Sequence, residues 1–192
     1  MEKLRVSAAA LARIEIDGKI VLGLNKNRMK KGKEVYMPFG GAIEFKEEAR
    51  PFLNSLQVQY EKGNDLRFLI EEKYIPDFDH WFRSGANREK DVYRELREEL
   101  VLEEKLLPSL ERDLVKIENR GLLTPREATD RVGQEGQITQ RYLEIFNVQL
   151  PAEYEATLRD ATQDKLVWVT EDEIREGETK DHKEIRGLPL LI

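Results

Sequence analysis

The sequence predicts a mixed α+β or α/β sandwich, and three observations support this fold class. Strand-like runs stand on both sides of one long helix-forming segment, and a second helix signal follows the last strand. The 192 residues are 40% hydrophobic, which is enough for one buried core. No Pro/Gly/Ser-rich linker divides them. We therefore predict a single domain over residues 1–192, with an insertion at about 48–90.

The first element is a β-hairpin. Residues 8–16 and 19–25 flank Asp17-Gly18, which suits a two-residue type I′ turn because both central positions take positive φ. "EVYMPF", residues 34–39, predicts a further strand that leads into Gly40-Gly41.

The insertion has a different pattern. Its amphipathic pieces, "FLNSLQVQY", "DLRFLIEEKYI" and "FDHWF", are separated by Gly63-Asn64 and Pro76-Asp77. We expect it to have structure of its own and to pack on the body of the domain.

The segment 87–106 predicts the main helix, because apolar residues recur in it at three- and four-residue steps, at Val92, Tyr93, Leu96 and Leu100.

Two β-rich runs, 138–149 and 165–170, predict later strands. Thr170 and Glu173 then form a capping-box pattern for a closing helix.

Composition excludes several classes of function. Charged residues make up 36% of the chain, but the net charge is −6, which argues against binding to duplex nucleic acid or to anionic membranes. The chain has no cysteine and two histidines, so a metal would be a hard ion held by oxygen, Mg²⁺ or Mn²⁺. "MEKLRVSAAALA" has some features of a secretory signal, but Arg13 and Glu15 interrupt its apolar run. We therefore expect a cytoplasmic protein.

The helix carries a set of carboxylates that suits such an ion. Glu95, Glu98 and Glu99 stand at i, i+3 and i+4, so they project from one helix face. This spacing fits a solvated charged surface, in which Asp91, Arg94 and Arg97 are ordinary ion-pair partners, or a divalent-cation site. Taken alone, the spacing of the glutamates on the helix favours the interpretation as a solvated charged surface.

Two motifs favour the cation site. The chain resembles the Nudix hydrolase family, whose signature is G-x5-E-x7-R-E-U-x-E-E-x-G-U, with U an apolar residue. Its first half matches at Gly41 and Glu47, and its second half at Arg94, Glu95, Leu96, Glu98 and Glu99. The spacer is 46 residues here, 48–93, instead of seven, so the motif is split by the insertion. Loops tolerate such insertions because the entropy of loop closure grows slowly with length. The inserted text most resembles the SMODS-associated Nudix domain of bacterial conflict systems.

The resemblance implies a Nudix-like α/β/α sandwich with a mixed central sheet and the insertion before the Nudix helix. It implies that Glu95, Glu98 and Glu99, with the main-chain carbonyl of Gly41, bind Mg²⁺ or Mn²⁺. One of these glutamates would position or deprotonate the attacking water. Arg94 and Glu47 would pair and orient the helix.

The chain departs from the signature at one point. The family has glycine two residues after the last glutamate, where this chain has Val101. Glycine eases a left-handed exit from a helix and valine does not, so we expect the helix to continue toward Leu106.

Several further residues are candidates for the functional site, and most of them also have a structural interpretation. Lys26 and Arg28, with Lys30 and Lys31, could reach substrate phosphates or form a solvated basic loop, and Phe39 is a further candidate substrate contact. Glu135 or Glu144 could be an additional downstream carboxylate. Trp81, with Phe82, could stack on a base or anchor the insertion, whereas His80 is expected to be a packing or surface residue.

Two functions follow. The first is a Mg²⁺-dependent pyrophosphohydrolase that acts on a nucleoside di- or triphosphate derivative, in bacterial antiviral defence or nucleotide clearance. The second is a nucleotide-binding sensor or regulatory module that keeps the fold and has lost turnover. Intact Glu98 and Glu99 favour the enzyme. The expected partner is a small nucleotide, and the sequence leaves open whether the protein forms a homodimer.

Overall fold

The computed structural model describes residues 3–26, 32, 34–129, 136–161 and 164–192. The chain divides into two compact units, each made of three separate stretches. Unit 1 contains Met1–Ala10, Gly41–Lys90 and Leu122–Glu144. Unit 2 contains Leu11–Gly40, Asp91–Gly121 and Ile145–Ile192. The expectation of a single domain stays a prediction.

The described chain contains eleven strands, whose bounds are β1 Lys3–Ile16, β2 Lys19–Leu24, β3 Val35–Met37, β4 Gly40–Ala42, β5 Gln59–Tyr60, β6 Arg67–Glu71, β7 Lys116–Leu123, β8 Arg126–Ala128, β9 Ile138–Gln149, β10 Leu166–Val169 and β11 Glu184–Ile185. The α-helices are α1 Arg50–Ser55, α2 Ile75–Ser84, α3 Tyr93–Arg97, α4 Ala152–Asp160 and α5 Glu171–Glu176. A π-helix, Glu98–Glu103, continues α3, and short 3₁₀ turns lie at Glu47–Ala49, Glu72–Tyr74, Arg112–Leu114 and Leu188–Leu191.

In unit 1 the insertion contributes strands as well as helices. β6 pairs antiparallel with the first part of β1, from Lys3 opposite Glu71 to Ser7 opposite Arg67. β5 pairs with β6, and β8 pairs with β9. The expectation that the insertion has structure of its own is confirmed, although its amphipathic pieces did not reveal β5 and β6.

Aromatic side chains form the core of unit 1. Phe68, Phe78 and Phe82 are fully buried. The Phe78 ring lies 5.2 Å from the Phe68 ring and 5.2 Å from the Tyr142 ring, both in edge-on contacts that suit aromatic quadrupoles. α2 is thereby fixed against β6 and β9.

In unit 2 the predicted hairpin is confirmed. Glu15 and Ile16 pair with Ile20 and Lys19, and the turn residues have φ of 53° at Asp17 and 72° at Gly18, as a type I′ turn requires.

β2 is the central strand of unit 2. It pairs antiparallel with β10 and with β3, while β3 pairs in parallel with β11. The sheet is therefore mixed, and the α+β class is as predicted.

Two further predictions are confirmed and two need correction. β9 has the predicted bounds, and the Thr170–Glu173 capping box is present at α5. Pro76 does not separate two elements, because it lies in the first turn of α2, where its missing N–H costs nothing. The main helix begins at Tyr93 rather than at residue 87.

No helix in the part of the chain that the structure describes is long and apolar enough to cross a membrane.

Candidate active site

The helix that carries the glutamates belongs to unit 2. Its start is stabilised by the Asp91 carboxylate, whose Oδ1 accepts a hydrogen bond from the Tyr93 N–H at 2.9 Å. Val92, Leu96 and Leu100 are fully buried on its inner side. This burial fixes the rotation of the helix, and with it the directions in which the glutamates project.

The helix widens into a π-helix at Glu98. The Glu104 N–H donates to the Glu99 carbonyl at 2.9 Å, a step of five residues, and the Leu106 N–H donates to the Leu100 carbonyl at 2.8 Å. The left-handed residue is Lys105, with φ of 52°. The expectation that Val101 moves the exit downstream is confirmed. The helical segment nevertheless ends at Glu103, before Leu106.

Glu99 contacts Gly40, the first residue of β4. Its Oε2 accepts a hydrogen bond from the Gly40 N–H at 2.7 Å. Desolvation, followed by repulsion from Glu95 and from the two later glutamates at 103 and 104, raises the pKa of Glu99 to about 8, against the opposing effect of the Gly40 hydrogen bond. Glu99 thus holds a proton that a cation would displace.

Arg94 neutralises the other two glutamates. Its guanidinium lies 2.9 Å from Glu95 Oε1 and 3.1 Å from Glu98 Oε1. The Glu95 side chain is 15% exposed and the Glu98 side chain 42%, so Glu98 is the more accessible of the two.

The predicted cation ligands are not gathered in this arrangement. Among the described residues, no group of three or more His, Asp or Glu side chains is placed to hold a metal ion. The donor chemistry nevertheless fits Mg²⁺ or Mn²⁺, because all the donors in the set are oxygens and Glu99 is the poorly solvated carboxylate. The assignment of Glu95, Glu98, Glu99 and the Gly41 carbonyl stays a prediction.

Two weaker candidates in unit 2 have structural partners. Lys26 Nζ lies 2.6 Å from Glu104 Oε1 and 3.3 Å from the Glu103 carbonyl, so it neutralises the end of the π-helix. Phe39 is 3% exposed, and a Cβ at Gly23 would lie 2.7 Å from its ring. Phe39 is therefore a core residue, which argues against the predicted substrate contact.

Arg28, Lys30, Lys31 and Glu135 lie outside the described residues.

In unit 1, Glu47 is held by its own neighbourhood. Both of its oxygens bind the Arg50 guanidinium, at 2.6 and 2.8 Å, and Oε1 also accepts from the Asn64 amide at 3.0 Å. These bonds lower the pKa of Glu47 to about 2, with Arg50 as the largest cause. The proposed pairing of Glu47 with Arg94 stays a prediction, with Arg50 as a competitor that the sequence did not reveal.

The Glu144 carboxylate also has a structural partner. Its two oxygens bind Arg88 at 2.9 and 2.8 Å, and both side chains are buried. The Arg88 guanidinium lies 4.0 Å from the centre of the Phe82 ring. The interpretation of Glu144 as an additional downstream carboxylate stays a prediction, with Arg88 as a competitor for both of its oxygens.

The insertion places Trp81 against aromatic rings. Its ring centre lies 5.6 Å from those of Phe52 and Phe78. This contact supports the anchoring interpretation of Trp81, and His80 is exposed, as expected. Phe82 is fully buried and cannot stack on a base.

Three residues with a role in these contacts were missed. Gly40 has φ of 138°, so its position favours glycine, and it donates to Glu99. Arg88 neutralises Glu144, and Lys165 Nζ donates to the Glu104 carbonyl at 2.8 Å. The Gly-Gly pair was the sequence signal that could have revealed Gly40. The contacts of Arg88 with Glu144 and of Lys165 with Glu104 join residues far apart in the sequence, so no local pattern reveals them.

Comparison with known families identifies the class. The family described as the SMODS-associated NUDIX domain matches residues 3–187. The chain therefore belongs to this family, as its split motif indicated.

Other comparisons add little. A search of curated proteins finds no match. The solution structure of the E. coli ORF135 protein is similar, with 14% identity over 90% of this chain and 79% of that chain. Its TM-score is 0.36, a level that carries no inference about function.

Proposed function

We propose that this protein is a divalent-cation-dependent pyrophosphohydrolase that acts on a nucleoside di- or triphosphate derivative. The observation that carries the proposal is the set of three carboxylates on one helical face, one of which, Glu99, has a pKa raised to about 8 and is held by the Gly40 N–H. Such a residue has a ligand's chemistry and costs stability when it ionises without a cation. Membership of a NUDIX family supports the same reaction class.

Glu95, Glu98 and Glu99, with the Gly41 carbonyl, would hold Mg²⁺ or Mn²⁺. The bound ion supplies charge neutralisation at the phosphate oxygens and activation of water. Within the chain, Glu98 is the best candidate to accept the proton of the attacking water, because it is the more exposed of the two glutamates whose pairing with Arg94 is given above. Arg94 then acts as a positioning residue for both partners.

A second function has one observation in its favour. Arg94 pairs with both Glu95 and Glu98, and carboxylates neutralised in this way suit a nucleotide-binding sensor or regulatory module that has lost turnover. We keep a cytoplasmic location, a role in bacterial defence or nucleotide clearance, and a homodimeric state as parts of the proposal that need their own tests.

The test is a substrate screen with Mg²⁺ or Mn²⁺, which compares the wild type with Glu98→Gln. Substrates are nucleoside triphosphates, including oxidised and deaminated ones, ADP-ribose, dinucleoside polyphosphates and oligonucleotides. We expect metal-dependent release of phosphate or pyrophosphate, and a loss of about 10²–10⁴-fold in Glu98→Gln, the range for a general base. Nucleotide binding without turnover would favour the sensor, and an equally active Glu98→Gln would refute the assigned role.

A further inference from the structure

A groove of about 440 Å³ lies in unit 1 between α1 and α2. On the α1 side it is lined by Phe52, Ser55 and Leu56. On the α2 side it is lined by Asp77, His80, Trp81 and Ser84. These last four stand at i, i+3, i+4 and i+7, so the groove uses one complete stripe of α2.

This stripe is separate from the core face of α2. Phe78 and Phe82, on the other side of the helix, are fully buried. Trp81 lies on the groove side of α2, beside Phe52 of α1. Both side chains are half-buried, and their ring centres are 5.6 Å apart. Trp81 also packs against the core ring of Phe78, with ring centres 5.6 Å apart, so it anchors α2 and lines the groove at the same time. An apolar groove wall of this kind is a feature of ligand sites.

Three polar groups at the groove have unused hydrogen-bonding capacity, whereas the Ser55 and Ser84 hydroxyls donate to main-chain carbonyls. Within the described part of the chain, the Asp77 carboxylate, the His80 imidazole and the Trp81 indole N–H have no hydrogen-bond partner. Asp79, on a different side of α2, is by contrast paired with Arg83 at 2.8 Å. The groove therefore offers a carboxylate acceptor, Asp77, one helical turn from the flat ring of Trp81.

We propose that this groove binds a guanine base. Stacking on Trp81 suits any base, but the Asp77 carboxylate requires neighbouring N–H donors, which guanine presents at N1 and N2. Adenine offers an acceptor at N1, which a carboxylate repels. Among the described residues that line the groove there is no lysine or arginine, so the site recognises the base and not the phosphates. Its volume suits a small molecule.

The test uses fluorescence of the full chain in a Trp168→Phe background. The protein has two tryptophans, so this change leaves Trp81 as the only one. Guanosine is the probe, because it has no phosphate and its binding does not depend on the hydrolase proposed above. We expect saturable quenching of Trp81 by guanosine, and weaker quenching by adenosine, cytidine and uridine.

Asp77→Asn is the decisive variant, since an exposed position tolerates this change without loss of folding. It is expected to weaken guanosine binding at least about fivefold, the low end for a lost bidentate base contact. Asp79→Asn on the same helix is the matched control and should leave binding unchanged. The proposal is overturned if millimolar guanosine gives no saturable quenching, if all four nucleosides bind alike, or if Asp77→Asn binds as well as Asp79→Asn.

Discussion

Glu144 in unit 1 and Glu99 in unit 2 are two carboxylates withdrawn from water in different ways. Glu144 has a guanidinium on both of its oxygens, because Arg88 binds it bidentately. Glu99 has one main-chain N–H, from Gly40, and its pKa is raised to about 8, chiefly by desolvation. A carboxylate that has its own cation is a structural element, whereas one that lacks a cation can receive one.

The largest effect on stability is expected from breaking the ion pair between Arg88 and Glu144. Arg88→Met leaves the Glu144 carboxylate buried without a partner, which should lower the free energy of unfolding by about 3–5 kcal/mol. Urea denaturation at pH 7 measures it. The double variant Arg88→Met, Glu144→Leu removes both charges and should recover most of the loss. A stable single variant would show that Glu144 does not depend on Arg88.

Glu99 should make stability depend on pH in the opposite sense to an ordinary ion-paired glutamate. Its pKa is about 8 in the folded protein and near 4.5 when unfolded, so between these values the folded state keeps a proton that the unfolded state releases. Stability is therefore highest below pH 4.5 for this group, and falls toward pH 8 by up to about 4 kcal/mol. Denaturation at a series of pH values measures the slope.

Glu99→Gln is the control for that slope, since it removes the titrating group and keeps the size of the side chain. It should remove most of the fall in stability between pH 4.5 and 8. The same fall in wild type and variant would assign the pH dependence to other groups.

Gly40→Ala changes the residue that binds Glu99, and its effect on stability should be intermediate. Alanine at φ of 138° is strained, which should cost about 1–3 kcal/mol of stability and misplace the N–H that binds Glu99. Gly41→Ala is the matched control, because Gly41 does not have a positive φ. Thermal unfolding of both variants gives the difference, and equal losses would contradict the argument from Gly40.

The smallest effect is expected at Glu47, which has a guanidinium partner like Glu144 but lies at the surface. Its pKa is lowered to about 2 by Arg50, so its contribution is present above pH 4.5 and is lost as the pH falls toward 2. Glu47→Gln should therefore leave the urea midpoint at pH 7 nearly unchanged, because solvent screens exposed pairs. A large shift there would show that the ion pair has a structural role beyond the surface.

The sequence predicted those parts of the fold that local patterns encode. Asp17-Gly18 predicts its turn from backbone sterics, and Thr170 with Glu173 predicts its cap from hydrogen bonds three residues apart. β6 was missed because its alternation of buried and exposed residues is only five residues long and stands beside helix-forming text.

The candidate site was predicted in its residue types and not in their contacts. The spacing of Glu95, Glu98 and Glu99 places them on one face, but the hydrogen bond to Glu99 comes from Gly40, which is distant in the sequence. Lys165, which binds the Glu104 carbonyl after the π-helix, is equally distant. The partner of Glu144 was not predicted, because the sequence gives no indication that Arg88 would bind it. Long-range pairing depends on tertiary packing, which a local pattern does not report.

The wide turn after Glu98 has a consequence for comparing sequences. With five-residue hydrogen-bond steps, Glu104 takes the place above Glu99 that residue 103 would occupy in a regular helix. A chain one residue shorter between Leu100 and Glu104 could close the same segment as ordinary α-helix and leave Glu95, Glu98 and Glu99 where they are. An alignment gap of one residue at this point would therefore be compatible with an unchanged set of carboxylates.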